Sequence, residues 1–175
     1  MKLKGTKEIN KKIKNLAKKI YRKHKKNLGD LCLIGIKRRG ISIAQRLQQE
    51  LKKLTNQEIP LGALDISFYR DDLQMISLSP IVRGSEINFS LQDKIVILVD
   101  DVIYTGRTVR AALSEILDYG RPKKVELLVL VDRNHRELPI QPDYVGFKFK
   151  VKKEDLIDVF LKEEDKKEGI YLQRR

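Results

Sequence analysis

Runs of consecutive apolar residues recur along the chain, and each run is about the length of one strand. The run "KIVILVD" is almost entirely Ile, Leu and Val, which is typical of a strand buried on both faces of a sheet. The other runs share this character, so we expect them to pair with one another. The predicted strands are 31–37, 61–70, 94–100, 124–132 and 144–150.

Between several of these runs, apolar residues recur at the three-and-four spacing of an amphipathic helix. Ile9, Ile13 and Ile20 lie on one such face, and lysines fill the other face. Strands that alternate with helices predict an α/β fold, in which helices cover both faces of a mostly parallel central sheet. The predicted helices are about 7–27, 41–51 and 109–119.

Two segments depart from this alternation. Residues of about 70–90 show no clean periodicity and contain Pro80 and Gly84, which predicts a long loop. Residues of about 155–173 read as a hairpin with the polar turn "EEDKKEG". We expect the whole chain, 1–175, to form a single domain.

The charge of the chain points to its partners. There are 37 Lys and Arg residues against 24 Asp and Glu, a formal net charge of +13, which favours nucleic acid or phosphorylated small molecules. A solubilised surface explains the same charge equally well. Cys32 is alone, so no disulfide can form within the chain and a reducing compartment fits. No apolar leader or membrane-length segment is visible, so we expect a soluble cytoplasmic protein without a membrane partner.

The stretch "VILVDDVIYTGRT" carries the most specific chemistry. Asp100 and Asp101 follow a buried strand, where two carboxylates need hydroxyl or cationic partners such as a ribose or Mg²⁺. The turn from Thr105 to Thr108 opens a helix, whose free N–H groups and dipole favour a phosphate. Ordinary N-capping by Thr105 or Thr108 is the alternative for the turn alone. The two features together predict a sugar phosphate site at the carboxyl edge of the sheet.

These residues resemble the motif with which type I phosphoribosyltransferases bind phosphoribosyl pyrophosphate (PRPP). With "LIGIKRRGISIAQRL", "LDISFYRDDL" and "VLVDRNHRELPIQPDYVG", the resemblance is closest to pyrimidine operon attenuation regulators that are also uracil phosphoribosyltransferases. The resemblance covers Leu31 to Gly146 and implies the fold of type I phosphoribosyltransferases, with a small hood and a flexible flap. The implied reaction joins uracil to PRPP and gives UMP and diphosphate, with Mg²⁺ accompanying PRPP near the two Asp residues.

The resemblance also implies roles for individual residues. Asp100, Asp101, Arg39 and Lys37 are the expected catalytic group, and the "IKRRG" loop is expected to hold the pyrophosphate and a non-proline cis peptide. Tyr69, Arg70, Asp71 and Asp72 are expected to open the flap, and Val131, Asp132 and Arg133 to lie in the hood over uracil. The expected PRPP and UMP contacts are Val96, Ile97, Leu98, Val99, Asp100, Asp101, Val102, Ile103, Tyr104, Thr105, Gly106, Arg107 and Thr108, with Lys37, Arg38, Arg39 and Gly40.

A second activity is implied for leader mRNA of pyrimidine operons. His135 and Arg136 match family residues that bind this RNA, and Lys18 and Arg22 lie on the basic face of the first helix. A homodimer or homotetramer would enlarge such a surface. The alternative is that the lysines and arginines of this helix only face solvent and bind no RNA.

Three functions remain open from the sequence. The first is the uracil enzyme, and the second is an RNA-binding regulator whose nucleotide site mainly senses UMP or PRPP. The third is a phosphoribosyltransferase for another base, such as a purine or orotate. Tyr104 disfavours the third, because purine-specific relatives often carry an acid at the matching position.

Overall fold

The computed structural model describes residues 1–67 and 84–174. Five parallel strands form the central sheet in the order β3-β2-β4-β5-β6. The predicted α/β fold with a parallel central sheet is confirmed. The strands of this sheet are β2 (Leu31–Ile36), β3 (Leu61–Leu64), β4 (Ile95–Ile103), β5 (Lys124–Asp132) and β6 (Tyr144–Lys148).

Helices cover both faces of this sheet, as the periodicity predicted. The apolar faces of α1 (Thr6–His24) and α2 (Arg39–Thr55) share one core with Ile97 and Val99 of β4. Helix α3 (Arg107–Asp118) packs on the opposite face against Val96 and Leu98. Alternate residues of β4 therefore supply two separate cores, which explains why the whole strand is apolar.

A second, antiparallel sheet of three strands lies beside the first, in the order β1-β8-β7. The predicted C-terminal hairpin is confirmed as β7 (Leu156–Phe160) and β8 (Gly169–Gln173). Strand β1 (Lys2–Lys4) pairs with β8 and was not predicted, because three residues give no periodicity to detect. We call these three strands the hood sheet.

Several boundaries differ from the prediction in ways that matter for the site. Strand β3 ends at Leu64, whereas the pattern predicted a strand to residue 70. Strand β4 continues beyond the predicted residue 100 to Ile103, so both Asp100 and Asp101 belong to the sheet. The expected flap residues Tyr69, Arg70, Asp71 and Asp72 lie outside the described residues. Within 1–67 and 84–174, none of the helices combines the length and apolarity needed to cross a bilayer.

Candidate active site

A cavity of about 730 Å³ opens at the carboxyl edge of the central sheet. It is lined by the ends of β2 and β4, by the residues that follow β2 and β3, by Thr108 of α3 and by the turn between β7 and β8. This is the edge where ligands bind in open parallel sheets. Its lining residues are Ile36, Lys37, Arg38, Arg39, Asp65, Ile66, Ser67, Asp100, Asp101, Val102, Thr108, Glu164 and Asp165.

Asp100 and Asp101 line this cavity side by side. Asp100 is 6% exposed, and its Oδ1 accepts the N–H of Asp101 at 2.8 Å. Asp101 Oδ1 accepts the N–H of Val102 at the same distance. Burial raises the pKa of Asp101, although a hydrogen bond with the Asp100 side chain, the N–H of Val102 and the charge of Arg39 partly offset it. Because burial disfavours the ionised form of this carboxyl, hydroxyl donors or a cation in the cavity would stabilise it.

The turn after β4 forms a smaller cavity of about 110 Å³ that adjoins the first. Thr108 lines both cavities. Gly106 is the N-cap of α3 with φ of 95°, a backbone conformation that suits glycine. Thr105 Oγ1 accepts the N–H of Arg107 at 3.3 Å, so the Thr105 side chain caps one N–H group near the start of the helix. The remaining N–H groups of the first helical turn suit an anion of phosphate size.

The loop after β2 carries the predicted cationic residues. The Lys37–Arg38 peptide bond is cis, as expected. Lys37 Nζ donates to the carbonyl oxygen of Gly84 and lies 4.0 Å from Asp65 Oδ2. Arg39 makes a two-point contact with Asp165, with Nε and Nη2 each 3.0 Å from a carboxylate oxygen. The structure thus brings the loop and the two Asp residues to one cavity.

Four residues predicted to contact the nucleotide are buried in the two cores. Their side chains are 0% exposed and line neither cavity, so the prediction that these side chains contact ligand is wrong. They lie in the part of strand β4 that is packed on both faces. These residues are Val96, Ile97, Leu98 and Val99. Ile103, also predicted, is 1% exposed but lines the smaller cavity.

The predicted hood residues lie at the end of strand β5. Val131 and Asp132 end strand β5 of the central sheet and are not part of the hood sheet. Their expected place over uracil stays a prediction. Arg133 connects this strand end to the segment that leads into β7, because its Nη2 donates to the carbonyl oxygen of Asp155 and its guanidinium covers the Tyr104 ring at 3.9 Å.

His135 and Arg136, predicted to bind RNA, make internal contacts in this structure. Arg136 donates to the carbonyl oxygen of Tyr104 at 3.0 Å and to Asp132 Oδ2 at 2.8 Å, and its side chain is 11% exposed. His135 Nε2 lies 2.7 Å from the carbonyl oxygen of Val151. The "DRNHRELP" segment therefore supports the turn that begins at Tyr104.

The basic face of α1 is accessible, as predicted. Arg22 is exposed and Lys18 is half-buried, while Ile9, Ile13 and Ile20 face the core. The contribution of Lys18 and Arg22 to RNA binding stays a prediction.

Sequence reasoning missed three carboxylates at the cavity: Asp65, Glu164 and Asp165. Asp65 was hidden because the predicted strand ran past it to residue 70. Glu164 and Asp165 were read as a polar hairpin turn. An acidic turn in a chain with a net charge of +13 was the signal that could have marked them.

A buried ionic cluster lies at the other end of β5, away from the cavity. Glu126 is 0% exposed, and His24 Nε2 lies 2.9 Å from its Oε2. The hydroxyl of Tyr144 also donates to Glu126, and Lys23 and Lys124 pair with it at 2.7 and 2.9 Å. Burial alone would raise the pKa of Glu126, but these donors outweigh it and hold the pKa well below its usual range. His24 is itself buried, at 5% exposed, as a partner of this carboxylate.

Comparison with known proteins agrees with this site. The model of the phosphoribosyl transferase domain matches residues 2–162. The chain belongs to the phosphoribosyl transferase family. Within that family, it is 48% identical over 165 residues to "Bifunctional protein PyrR" of Alkaliphilus metalliredigens, which covers 94% of this chain and 90% of the relative. A protein of the same name from Brevibacillus brevis is 52% identical over 140 residues, or 80% of this chain and 78% of the relative.

Solved phosphoribosyl transferase structures share the fold. Hypoxanthine phosphoribosyltransferase from Trypanosoma cruzi superimposes with a TM-score of 0.78 at 22% identity, over 99% of this chain and 94% of that chain. A hypoxanthine-guanine phosphoribosyltransferase from Bacillus anthracis gives a TM-score of 0.65 at 21% identity, over 85% and 81% of the two chains. These likenesses concern the architecture of the domain.

Proposed function

We propose that the chain is a uracil phosphoribosyltransferase that also regulates pyrimidine operons by binding leader mRNA. One observation carries the enzymatic half. Two adjacent carboxylates, a helix-opening turn and a cationic loop meet at contiguous cavities on the carboxyl edge of the sheet. These are the groups that a ribose bearing a 5′-phosphate and a pyrophosphate needs.

In this proposal, each of the three elements binds one part of PRPP. The 5′-phosphate takes the N–H groups and hydroxyls of the turn from Tyr104 to Thr108. The ribose hydroxyls donate to Asp100 and Asp101, and the pyrophosphate takes Lys37 and Arg39. Nitrogen N1 of uracil attacks C1′ of the ribose while the bond from C1′ to the pyrophosphate oxygen breaks. The proton of N1 passes to the departing pyrophosphate or to water.

Charge stabilisation and positioning carry the catalysis. Positive charge develops on the ribosyl centre as pyrophosphate leaves, and the carboxylates of Asp100 and Asp101 lower its energy. The same pair fits a Mg²⁺ ion carried by PRPP, because Mg²⁺ binds through one or two carboxylates together with phosphate oxygens. The described residues contain no cluster of three His, Cys, Asp or Glu side chains that could hold a metal. The substrate would therefore supply the other ligands, and the ion would offset charge on the pyrophosphate.

The choice of uracil rests on the relatives and on Tyr104. The chain is about half identical to proteins named PyrR but 21–24% identical to hypoxanthine enzymes. Tyr104 is held by Arg133 over its ring and by its hydroxyl, which donates to the Lys153 carbonyl oxygen at 3.3 Å. A phenol there suits a base that loses its proton readily. Another base remains the second candidate for the enzyme.

The direct test measures pyrophosphate release from PRPP and Mg²⁺ with a panel of free bases. We expect turnover with uracil, and weak or no turnover with orotate, hypoxanthine and guanine. Turnover with a purine alone would assign the enzyme to another base. Absence of turnover with every base, together with UMP binding, would favour the regulator that only senses nucleotide.

The regulatory half is supported by the exposed basic face of α1 and by the bifunctional relatives. Phosphate contacts from Lys18 and Arg22 supply salt-dependent affinity, and base contacts must supply the choice of sequence. A homodimer would provide two copies of this face, and a homotetramer four. We therefore expect a pyrimidine-operon leader hairpin to bind more tightly than a scrambled hairpin, and UMP to change that affinity.

The matched variants for this test are Arg22→Ala on α1 and Arg121→Ala, an exposed arginine beyond α3. Arg22→Ala should weaken hairpin binding and reduce its dependence on salt, whereas Arg121→Ala should not. Equal affinity for both hairpins without a response to UMP would remove the regulatory half and leave the enzyme in place.

A further inference from the structure

The turn between β7 and β8 carries four carboxylates and two lysines, and its carboxylates lie against one face of α2. We call residues 163–168 the acidic turn. The residues of α2 that it contacts are spaced three and four apart, so they share one side of the helix. The contacts are Asp165 with Arg39, Glu164 with Ser42 at 3.3 Å, and Glu163 and Glu168 with Arg46 at 2.7 and 2.6 Å.

Asp165 lines the active-site cavity, as Glu164 does, but it alone in the turn pairs with Arg39, and it is held by the backbone of Leu161. Its N–H donates to the carbonyl oxygen of Leu161 at 2.7 Å, and its Oδ2 accepts the N–H of Leu161 at 2.9 Å. Its side chain is 15% exposed. The hydrogen bond from Arg39 holds the pKa of Asp165 below its ordinary value, so the group stays ionised at neutral pH.

Asp165 uses only part of Arg39. It accepts hydrogen bonds from Nε and Nη2, and a guanidinium has five N–H donors, so three are left for another partner. Phe160 of the hood sheet covers the guanidinium, with 5.5 Å between Cζ and the ring centre. The Arg39 side chain remains 36% exposed and lines the cavity. Asp165 and Phe160 thus hold the Arg39 guanidinium from two sides, while three of its N–H groups stay available to a ligand.

We propose that Asp165 is a positioning residue for the pyrophosphate group, acting through Arg39. This inference rests on the proposed function, in which Arg39 contacts the leaving group. An arginine that is already immobilised loses little conformational freedom when it binds an anion, whereas an unanchored one must first be ordered. Asp165 therefore strengthens binding of PRPP and pyrophosphate, even though it brings a negative charge to the cavity.

Two other roles for Asp165 make different predictions. If Asp165 were an internal competitor for Arg39, removing its charge would tighten pyrophosphate binding. If it only clasped the hood sheet to α2, removing it would weaken all ligands alike. UMP separates these cases, because it contains the ribose and the 5′-phosphate but no pyrophosphate.

The test compares Asp165→Asn with Glu163→Gln by calorimetric binding of pyrophosphate and of UMP. Glu163→Gln removes the same charge from the same turn, but it acts on Arg46. We expect Asp165→Asn to weaken pyrophosphate about tenfold, the order expected for a lost charge-assisted pair, and to raise KM for PRPP similarly. Its UMP affinity and KM for uracil should match the wild type. Glu163→Gln should match the wild type for both ligands.

Two further variants secure the result. Arg39→Ala and the double variant Arg39→Ala/Asp165→Asn should bind pyrophosphate equally weakly, because Asp165 acts only through Arg39. Should Asp165→Asn fail to fold, Arg39→Lys takes its place in the test. A lysine keeps the positive charge but cannot make the two-point contact with Asp165, so we expect this variant to bind pyrophosphate more weakly. Unchanged or tighter pyrophosphate binding in Asp165→Asn, or an equal loss of UMP, overturns this inference alone. Failure of the wild type to bind PRPP and UMP overturns the proposed function as well.

Discussion

The substitution Gly40→Ala tests how closely the pyrophosphate loop must approach the carboxylates. Gly40 lies in the first turn of α2, directly over strand β4. A Cβ atom added there would lie 2.5 Å from the carbonyl oxygen of Val99 and 3.3 Å from the Cα of Asp100. Neither neighbour is the flexible end of a side chain, because both are backbone atoms of a central strand.

The size of the effect follows from this geometry. Real Cβ atoms stay at least 3.0 Å from such an oxygen, so α2 and β4 must separate by about half an ångström. Overpacking of this kind costs about 1–3 kcal/mol of stability. A misplacement of about 1 Å can cost about 10²-fold in rate, so half of that displacement should lower turnover by about tenfold. The carboxylates themselves remain intact.

The assay pairs urea unfolding with uracil turnover and PRPP binding. Gly29→Ala is the matched control, since a Cβ at Gly29 would meet no atom within 4 Å. We expect Gly40→Ala to lose both stability and turnover, and Gly29→Ala to keep both. Wild-type stability and turnover in Gly40→Ala would refute the claim that close packing of α2 on β4 sets the site.

Three other measurements address the site and the fold. Asp100→Asn and Asp101→Asn should each lower turnover by about 10²–10³-fold with little loss of fold, as measured by initial rates and circular dichroism, and near-normal rates would remove the ribose assignment. UMP at a hundred times its Kd should stabilise the wild type by about 2.7 kcal/mol in thermal unfolding, and an unchanged melting curve would exclude nucleotide binding. Glu126→Gln should destabilise the protein by about 3 kcal/mol at pH 7. Because the folded pKa of Glu126 is lowered, that deficit should shrink as pH falls below the ordinary value of 4.5, and a deficit that grows would contradict the sign.

The central sheet and the location of the site were predictable because their signals are local. Five apolar runs alternated with helical periodicity, and parallel strands bring their carboxyl ends to one edge. Asp100, Asp101 and the turn at Gly106 could be placed there from the sequence alone. These residues are close together in the sequence, so a sequence pattern is enough to bring them to the same site.

The parts that escaped prediction depend on contacts between distant segments. Strand β1 exists because β8, at the other end of the chain, supplies its hydrogen bonds. Asp165 reaches the cavity only because the hood sheet packs against α2. Nothing in the sequence around Arg136 indicated that its guanidinium donates to Asp132 and to the backbone of Tyr104. No periodicity records such pairings.

The contact between Arg136 and the Tyr104 carbonyl has a consequence for genetic screens. A selection for cells that no longer repress their pyrimidine genes would recover changes at Arg136, even if this side chain never touched a transcript. Such a change would distort the turn at Tyr104, where the regulatory nucleotide is proposed to bind, and repression would fail because the nucleotide no longer binds. Loss of repression at this codon therefore cannot map the transcript-binding surface unless nucleotide affinity is measured in the same mutant.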